Sequence, residues 1–176
     1  YKRDFASVLL IVATCAMVFS NTLGNSFQFD DEHSILKNPH IRKLENIPSF
    51  FVDPTLFSRN VGSEMYRPVV LVTYALNYWV GGYEVVGYHL VNLAVHAGVA
   101  VVFYLLLRQL GLPSRPSVLA SLLFVAHPLA CEPVNYLSSR SESLAAFFFI
   151  SGLSSYAKDK GRFLVLSYCC YGVAIL

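Results

Sequence analysis

An acidic segment with one imidazole, residues 27–33, stands directly after the first long apolar run of the chain. It contains three consecutive carboxylates, Asp30, Asp31 and Glu32, followed by His33. Charged groups near hydrocarbon are costly because they lose hydration, so such a cluster is typical of ion binding or acid–base chemistry. A solvated turn before the next helix is an equal alternative, since Asp is also a common helix-capping residue.

A second polar pattern consists of His89, Asn92 and His96, which recur at spacings of three and four. These spacings place the three side chains on one stripe of a helix. Polar groups on an apolar helix usually face other helices, so we interpret Asn92 and His96 mainly as interhelical hydrogen-bonding residues. His89 is the better functional candidate. The spacing supports a zinc site only weakly, because zinc ligand sets are generally closer together.

A third polar region follows His127, where Pro128 and Pro133 interrupt the apolar pattern. Prolines leave backbone groups to be satisfied, and in membrane proteins such irregular backbone is tolerated where it lines a cavity. Arg140 in this region has the forked donors that bind a phosphate. Alternatively, Arg140 and Glu142 form an exposed ion pair that contributes little to stability.

The composition indicates a membrane protein. The chain has 176 residues, of which 55% are hydrophobic and only 14% are charged, against about 25% charged in soluble domains. The net charge of +2 and the lack of a basic aromatic patch argue against nucleic acid as a partner. Since the sequence starts without Met and ends inside an apolar run, we expect it to be part of a longer protein.

The apolar runs predict an all-α fold, a polytopic transmembrane helical bundle of which this chain is the N-terminal portion. A helix needs about 20 residues to cross roughly 30 Å of hydrocarbon. We predict spans at residues 5–23, 86–107, 117–129, 143–157 and 163–176, and a long outer loop with interfacial helices at 24–85.

The distribution of positive charge predicts the orientation of these spans. Lys2 and Arg3 place the start of the first span in the cytoplasm. The run 69–79 is short and aromatic, and it lies between Pro68 and two glycines, so we interpret it as a helix in the outer leaflet rather than a span. All later basic turns then lie inside, namely Arg108, Arg115, Lys158, Lys160 and Arg162.

This topology gathers many chemically capable side chains near the outer face. They are Asp30, Asp31, Glu32, His33, Tyr66, Arg67, His89, His127, Glu132, Arg140 and Glu142.

Several short motifs, taken in order, resemble the membrane domain of the transmembrane and tetratricopeptide-repeat O-mannosyltransferases, which are GT-C type glycosyltransferases that use lipid-phosphate sugars. The motifs are Phe29-Asp30-Asp31, Tyr66-Arg67-Pro68, residues 88–92, His127-Pro128 and Ser139-Arg140-Ser141-Glu142. The chain departs from the family pattern at Cys131, where a His is usual, and at residues 139–142, where Gly-Arg-Ala-Asp is usual.

The resemblance implies transfer of a sugar, expected to be mannose, from a polyprenyl- or dolichyl-phosphate donor to a hydroxyl of a protein Ser or Thr, or of a glycan, with inversion. Because a hydroxyl is a weak nucleophile, a carboxylate must take its proton. The resemblance assigns this role to Asp30, with Asp31 orienting either Asp30 or the acceptor. The departing phosphate needs cations or hydrogen-bond donors to stabilise its negative charge. Arg140, Arg67, His89 and His127 would bind the donor phosphate, and Glu32, Tyr66, Glu132 and Glu142 would support the site or the acceptor.

Three points stay open at this stage. Asp31, Glu32 and Glu142 would be the ligands if a divalent cation, Mg or Mn, takes part, which the sequence does not decide. The membrane is either the endoplasmic reticulum membrane or a bacterial inner membrane, with the site on the lumenal or periplasmic side. A non-catalytic membrane scaffold and a proton-coupled transporter are the alternative functions.

Overall fold

The computed structural model describes residues 2–58, 65–158 and 161–175, and the regular elements within these ranges are all helical. This confirms the predicted all-α class. In this described part of the chain, short 3₁₀ turns and one π-helical turn, Glu32–Leu36, connect eight α-helices. They are α1 (Lys2–Val18), α2 (Ile47–Phe50), α3 (Pro68–Gly81), α4 (Val85–Gln109), α5 (Ser114–Val125), α6 (Cys131–Asn135), α7 (Arg140–Tyr156) and α8 (Gly161–Ile175).

Among the described helices, α4 alone is long and apolar enough to cross a membrane as a single unbroken helix. Its 25 residues correspond to a length of about 37 Å at 1.5 Å per residue. A second candidate arises if α5 and the segment Pro128–Asn135 form one span with a 54° bend. The bend lies where Pro128 prevents the helix from continuing. The described residues therefore contain one or two candidate spans.

Helices occupy all five segments predicted to span, although several are shorter than expected. The first predicted segment, 5–23, contains α1 and a separate 3₁₀ turn at Ser20–Gly24. The third predicted segment, 117–129, contains most of α5, which ends at Val125 before the bend. The apolar helices at the two ends of the chain, Asp4–Val18 and Leu164–Ala174, are too short to count as candidate spans by length.

Helix α4 is the centre of the packing, because α1, α5, α6 and α7 all contact it. One buried cluster joins α1, α4 and α5 and includes Ile11, Cys15, Tyr104 and Val125. Burial of large apolar side chains contributes roughly 1.5–3 kcal/mol each to folding. This cluster fixes α4 against the helices on either side of it.

A second buried cluster holds the first loop against α3, and it includes Ile41, Phe50, Leu71 and Tyr74. The predicted limits of α3 are confirmed: Pro68 is its first residue, and Gly82 follows its end with φ of 58°. Positive φ favours glycine at this position, because glycine has no Cβ to clash. Residues 59–64 of the predicted outer loop lie outside the described residues, as do Lys160 and the side chains of Lys2, Arg3 and Arg162.

Candidate functional site

The carboxylate of Asp31 connects the first loop to the turn before α7. Asp31 is buried, and its Oδ2 accepts a hydrogen bond of 3.0 Å from the backbone N–H of Gln28. Its Oδ1 accepts from the backbone N–H and the hydroxyl of Ser138, at 2.9 and 2.7 Å. Burial raises the pKa of Asp31, and these hydrogen bonds oppose the shift. The geometry is that of a structural tether between segments more than a hundred residues apart.

Asp30, the neighbouring residue, presents its carboxylate to solvent. Its side chain is 58% exposed, and its Oδ1 lies 3.3 Å from Nε2 of His33. The other nitrogen of that imidazole, Nδ1, lies 3.0 Å from the hydroxyl of Ser58. The backbone N–H of Asp30 donates to the Tyr136 hydroxyl over 3.1 Å. Asp30 therefore combines a fixed backbone with an accessible carboxylate, which a general base requires.

Phe29 and Tyr136 form an aromatic surface beside Asp30. Phe29 has φ of 45° and an 83% exposed side chain, and its ring meets the edge of the Tyr136 ring at a centroid distance of 6.3 Å. Positive φ is uncommon for an aromatic residue, and such conformations often occur at functional sites. Burial raises the pKa of Tyr136, so its hydroxyl stays protonated and available as a donor. No spacing pattern in the sequence singled out Tyr136 or Ser138.

Arg140 lies fully buried at the start of α7 and connects it to two other helices. Its Nε donates to Asn92 Oδ1 at 2.6 Å, and its Nη1 donates to Thr73 and Asn77 on α3 at 3.0 and 2.8 Å. Its Nη2 donates to the carbonyl of Tyr88 at 2.9 Å. These contacts use most of the five N–H donors of the guanidinium group.

The buried position of Arg140 argues against the exposed ion pair with Glu142. Its guanidinium also lies 4.8 Å from the centre of the Tyr74 ring, whereas Glu142 is exposed. Arg140 thus contacts polar groups of α3 and α4 rather than the exposed rim. The prediction that Asn92 hydrogen-bonds across helices is confirmed, because Asn92 accepts from Arg140 and donates to the carbonyl of Tyr136.

Two further predicted residues, His89 and Glu32, have partners of their own. His89 is buried, and its Nδ1 lies 3.1 Å from the hydroxyl of Thr22. Glu32 is exposed and forms an ion pair of 2.6 Å with Lys37, which lowers the pKa of its carboxyl.

Tyr66 and Arg67 lie at the start of α3. The exposed Tyr66 donates its hydroxyl to the carbonyl of Phe51 at 2.9 Å. The guanidinium of Arg67 is half-buried and lies 5.7 Å from the centre of the Phe57 ring. Arg67 also lines a cavity of about 270 Å³ together with Tyr66 and Glu142. Unlike Arg140, it has access to a small open space.

A larger apolar cavity of about 600 Å³ lies between α4, α5 and α7, and His127 and Glu142 line it. His127 is exposed and accepts a hydrogen bond at Nδ1 from the backbone N–H of Leu129, at 3.3 Å. Glu132 is exposed and does not line either cavity. Glu142 lines both cavities and therefore forms part of the wall between them.

The carboxylates considered as metal ligands have different partners in this structure. The described part of the chain holds no group of three His, Cys, Asp or Glu residues placed to bind a metal ion. Asp31 accepts from Gln28 and Ser138, and Glu32 pairs with Lys37. The residues present do not fit a shared cation, and no step below is derived through one.

The structure divides most of the predicted residues into three groups instead of gathering them into one. Asp30 and Asp31 lie against the turn that precedes α7, whereas Arg67, His127 and Glu142 line the two cavities. Arg140 and His89 lie buried in the helical frame. The fold and these groups define a class: an all-α protein with candidate membrane spans, an accessible carboxylate and a separate apolar cavity.

Within that class, sequence similarity identifies the relatives. The chain is 35% identical over 161 residues to Protein O-mannosyl-transferase TMTC3 of Mus musculus, covering 90% of this chain and 17% of that protein. It is 32% identical over 167 residues to Protein O-mannosyl-transferase TMTC4 of Homo sapiens, covering 85% of this chain and 22% of that protein. The chain is therefore homologous to the TMTC protein O-mannosyl-transferases, which confirms the predicted resemblance.

The homology covers a limited part of these relatives. The match to Protein O-mannosyl-transferase Tmtc1 of Drosophila melanogaster, at 33% identity, covers 89% of this chain but 18% of that protein. The chain thus spans about a fifth of the length of the curated relatives it matches. No family model matches the chain. No solved structure matches it.

Proposed function

We propose that this chain is part of an integral membrane glycosyltransferase that moves mannose from a dolichyl- or polyprenyl-phosphate donor to a hydroxyl of a protein Ser or Thr, or of a glycan. The homology to protein O-mannosyl-transferases over 90% of the chain supports this proposal. The contrast between Asp30 and Asp31 is the structural observation that carries it. Tethering one carboxylate inside the protein holds the other at the surface.

In the proposed reaction, Asp30 acts as the general base. The acceptor hydroxyl attacks the anomeric carbon while Asp30 takes its proton, which makes the oxygen a better nucleophile. The bond between the anomeric carbon and the phosphate oxygen breaks, and the lipid phosphate leaves with the electron pair. Attack from the face opposite the leaving group inverts the configuration of the anomeric carbon.

The four residues that the sequence predicts to bind the donor phosphate differ in accessibility. Arg67 and His127 line cavities and can contact the donor directly. Arg140 and His89 are buried, so we assign them positioning roles. Arg140 holds α3, α4 and α7 together, and His89 holds α4 against the 3₁₀ turn that contains Thr22. Phosphate charge grows as the bond breaks, and fixed donors stabilise it best in a site that excludes water.

The remaining predicted residues take supporting roles in the proposal. Glu142 lies at both cavities, and Tyr66 lies beside Arg67. Glu32 and Glu132 are exposed and available to an acceptor that binds at the surface.

We further propose a membrane arrangement for the whole protein. The helices α1, α4, α7 and α8 and the bent pair of α5 and α6 each cross the bilayer, and α3 lies in the outer leaflet. This places Asp30 on the lumenal side of the endoplasmic reticulum membrane, or on the periplasmic side in a bacterium. The apolar character of α4, of the bent pair and of the shorter helices Asp4–Val18 and Leu164–Ala174 supports the arrangement.

The substitution Asp30→Asn tests the base assignment in the full-length protein. Asn keeps the shape of the side chain but does not accept the proton, so we expect kcat to fall by about 100-fold or more. Transfer of radiolabelled mannose from dolichyl-phosphate mannose to an acceptor peptide measures the effect. Glu45→Gln removes an exposed carboxylate elsewhere in the first loop and should leave transfer unchanged.

Three results would contradict the proposal in different ways. Full transfer by the Asp30→Asn variant would exclude Asp30 as the base. A wild-type protein that transfers no sugar from any lipid-phosphate donor would favour a scaffold, and proton flux coupled to solute uptake would favour a transporter.

A further inference from the structure

We propose that Tyr136 is a positioning residue for the catalytic base, and that its hydroxyl holds Asp30 in the orientation that the acceptor hydroxyl requires. This inference rests on the proposed function, because it concerns the residue that acts as the base there. Tyr136 lies between α6 and the turn before α7, and its side chain meets a residue 106 positions earlier in the chain. Position matters, because a shift of about 1 Å in a catalytic group can cost roughly 100-fold in rate.

The backbone of Asp30 is held on both of its polar groups. Its N–H donates to the Tyr136 hydroxyl at 3.1 Å. Its carbonyl accepts from the hydroxyl and the backbone N–H of Ser34, at 2.7 and 3.0 Å. Since water can replace a hydrogen bond at an exposed turn, such a contact adds little to stability. The contact with Tyr136 therefore serves mainly to set the direction of the Asp30 side chain.

The Tyr136 hydroxyl also interacts with the carboxylate of Asp30. Burial raises the pKa of Tyr136, and the contact with the Asp30 side chain raises it further. The hydroxyl therefore accepts from the Asp30 N–H and keeps its own proton to donate. On another side, Oδ1 of Asp30 lies 3.3 Å from Nε2 of His33. Tyr136 and His33 together restrict the carboxylate without covering it.

The residue before Asp30 depends on the same tyrosine. Phe29 has φ of 45°, which is unfavourable for an aromatic residue, and its side chain is 83% exposed, so burial does not offset the cost. Its ring contacts the Tyr136 ring at a centroid distance of 6.3 Å. Two consecutive residues of the first loop, Phe29 and Asp30, thus contact one tyrosine, and their backbone sets the point from which the base projects.

Tyr136 is itself fixed from the interior of the protein. Asn92 donates through Nδ2 to the carbonyl of Tyr136 at 3.3 Å, and its Oδ1 accepts from Nε of Arg140 at 2.6 Å. Arg140 is fully buried and also donates to Thr73 and Asn77 on α3. Buried and fully paired polar groups have few alternative arrangements. A series of hydrogen bonds therefore runs from the buried guanidinium through Asn92 and Tyr136 to the exposed base.

The substitution Tyr136→Phe tests the inference in the full-length protein, because it removes the hydroxyl and keeps the ring that contacts Phe29. For mannose transfer from dolichyl-phosphate mannose to an acceptor peptide, we expect kcat to fall about tenfold, with the peptide KM within about twofold of wild type. Tyr83→Phe is the matched control. The Tyr83 hydroxyl donates to the carbonyl of Leu36 in the same loop at 3.0 Å, so this variant should transfer like wild type. Thermal unfolding shows whether both variants are folded.

A double variant distinguishes positioning from a general structural role. In the Asp30→Asn background, Tyr136→Phe should cause little further loss of transfer, because the base that it positions is already absent. If Tyr136→Phe reduces transfer by the same factor in both backgrounds, Tyr136 acts independently of Asp30 and the inference is overturned.

Amide hydrogen exchange measures the contact without relying on activity. In Tyr136→Phe the Asp30 N–H loses its acceptor, so its exchange, resolved to single residues, should be about tenfold faster. The Ser34 amide, which donates to the Asp30 carbonyl, should exchange as in wild type and serves as the internal control.

The exchange and transfer measurements separate this inference from the proposed function. Wild-type kcat in a folded Tyr136→Phe variant, or wild-type exchange at Asp30, would reject the inference while the proposed activity stands. Faster exchange at Asp30, in a protein whose wild type transfers no sugar, would support the positioning of Asp30 by Tyr136 and reject the activity.

Discussion

At the scale of single residues, the central feature is the divergence of two adjacent carboxylates. Asp31 is 1% exposed and accepts three hydrogen bonds, whereas the side chain of Asp30 remains accessible. A buried carboxylate is stable only when its oxygens are paired. The Ser138 contacts thus make the position of Asp30 depend on the turn before α7.

Replacing the buried carboxylate should loosen this tether. In Asp31→Asn the amide NH₂ faces a backbone donor, so we expect the free energy of unfolding to fall by about 1–3 kcal/mol. Ser138→Ala should cost about 1 kcal/mol, and the double variant should lose less than the sum because the two residues share the interaction. Denaturant unfolding in detergent measures each value.

The control for this pair is Asp53→Asn. Asp53 accepts hydrogen bonds from Thr55 at the start of a local turn, and Asn caps such turns about as well as Asp. The free energy of unfolding of the Asp53→Asn variant should therefore stay within about 0.5 kcal/mol of wild type. If Asp31→Asn leaves the free energy of unfolding equally unchanged, the contact between Asp31 and Ser138 does not stabilise the fold measurably.

At the scale of elements, Arg140 connects α3, α4 and α7. Lys at this position keeps the charge but lacks the planar fork, and it leaves acceptors on two helices unpaired. We expect Arg140→Lys to lower the free energy of unfolding by about 3–5 kcal/mol, the range for disrupting a buried charged group. Thermal or denaturant unfolding tests this.

Arg108→Lys provides the comparison, because Arg108 is 35% exposed and lies 3.3 Å from Asp4. Partly exposed ion pairs contribute at most about 1 kcal/mol, so this variant should differ little from wild type. Equal losses in both variants would show that the buried contacts of Arg140 contribute no more than those of an exposed arginine.

The packing of α7 on α8 depends on a close approach at Gly152. A Cβ at this position would lie 3.0 Å from the Tyr171 ring, so Gly152→Leu should destabilise the protein by about 1–3 kcal/mol through overpacking. Gly172→Ala on α8 is the opposite case, since no described atom outside the local backbone of α8 lies within 4 Å of the added Cβ. It should stabilise the helix by up to about 1 kcal/mol. Unfolding midpoints of both variants check the prediction, which fails if both shift in the same direction.

At the scale of the whole molecule, the proposed membrane arrangement predicts which side of the bilayer each turn occupies. Glu45 is exposed in the first loop, and Leu112 is 36% exposed in the turn after α4. If α4 crosses the bilayer, these positions lie on opposite sides. In sealed vesicles whose lumenal or periplasmic side faces outward, a membrane-impermeant maleimide should therefore label a sole cysteine introduced by Glu45→Cys. It should label a sole cysteine introduced by Leu112→Cys only after permeabilisation. Labelling of both from the same side would reject α4 as a span.

The sequence by itself determined the helical class, the position of the major helices and the family. These follow from local information: apolar runs of helical length, Pro68 at a helix start, glycines at a helix end, and short motifs in a fixed order. The spacing of Asn92 within α4 was likewise sufficient to predict its interhelical contact.

Only the tertiary structure decided which side chains are buried and which meet. Asp31 and Ser138 are 107 positions apart, and the sequence pattern gives no reason to pair them. The same holds for Tyr136 beside Asp30, for the interior position of Arg140 and for the 54° bend after α5. Each depends on how helices pack across long separations in the chain, because a side chain loses its hydration only when distant segments cover it.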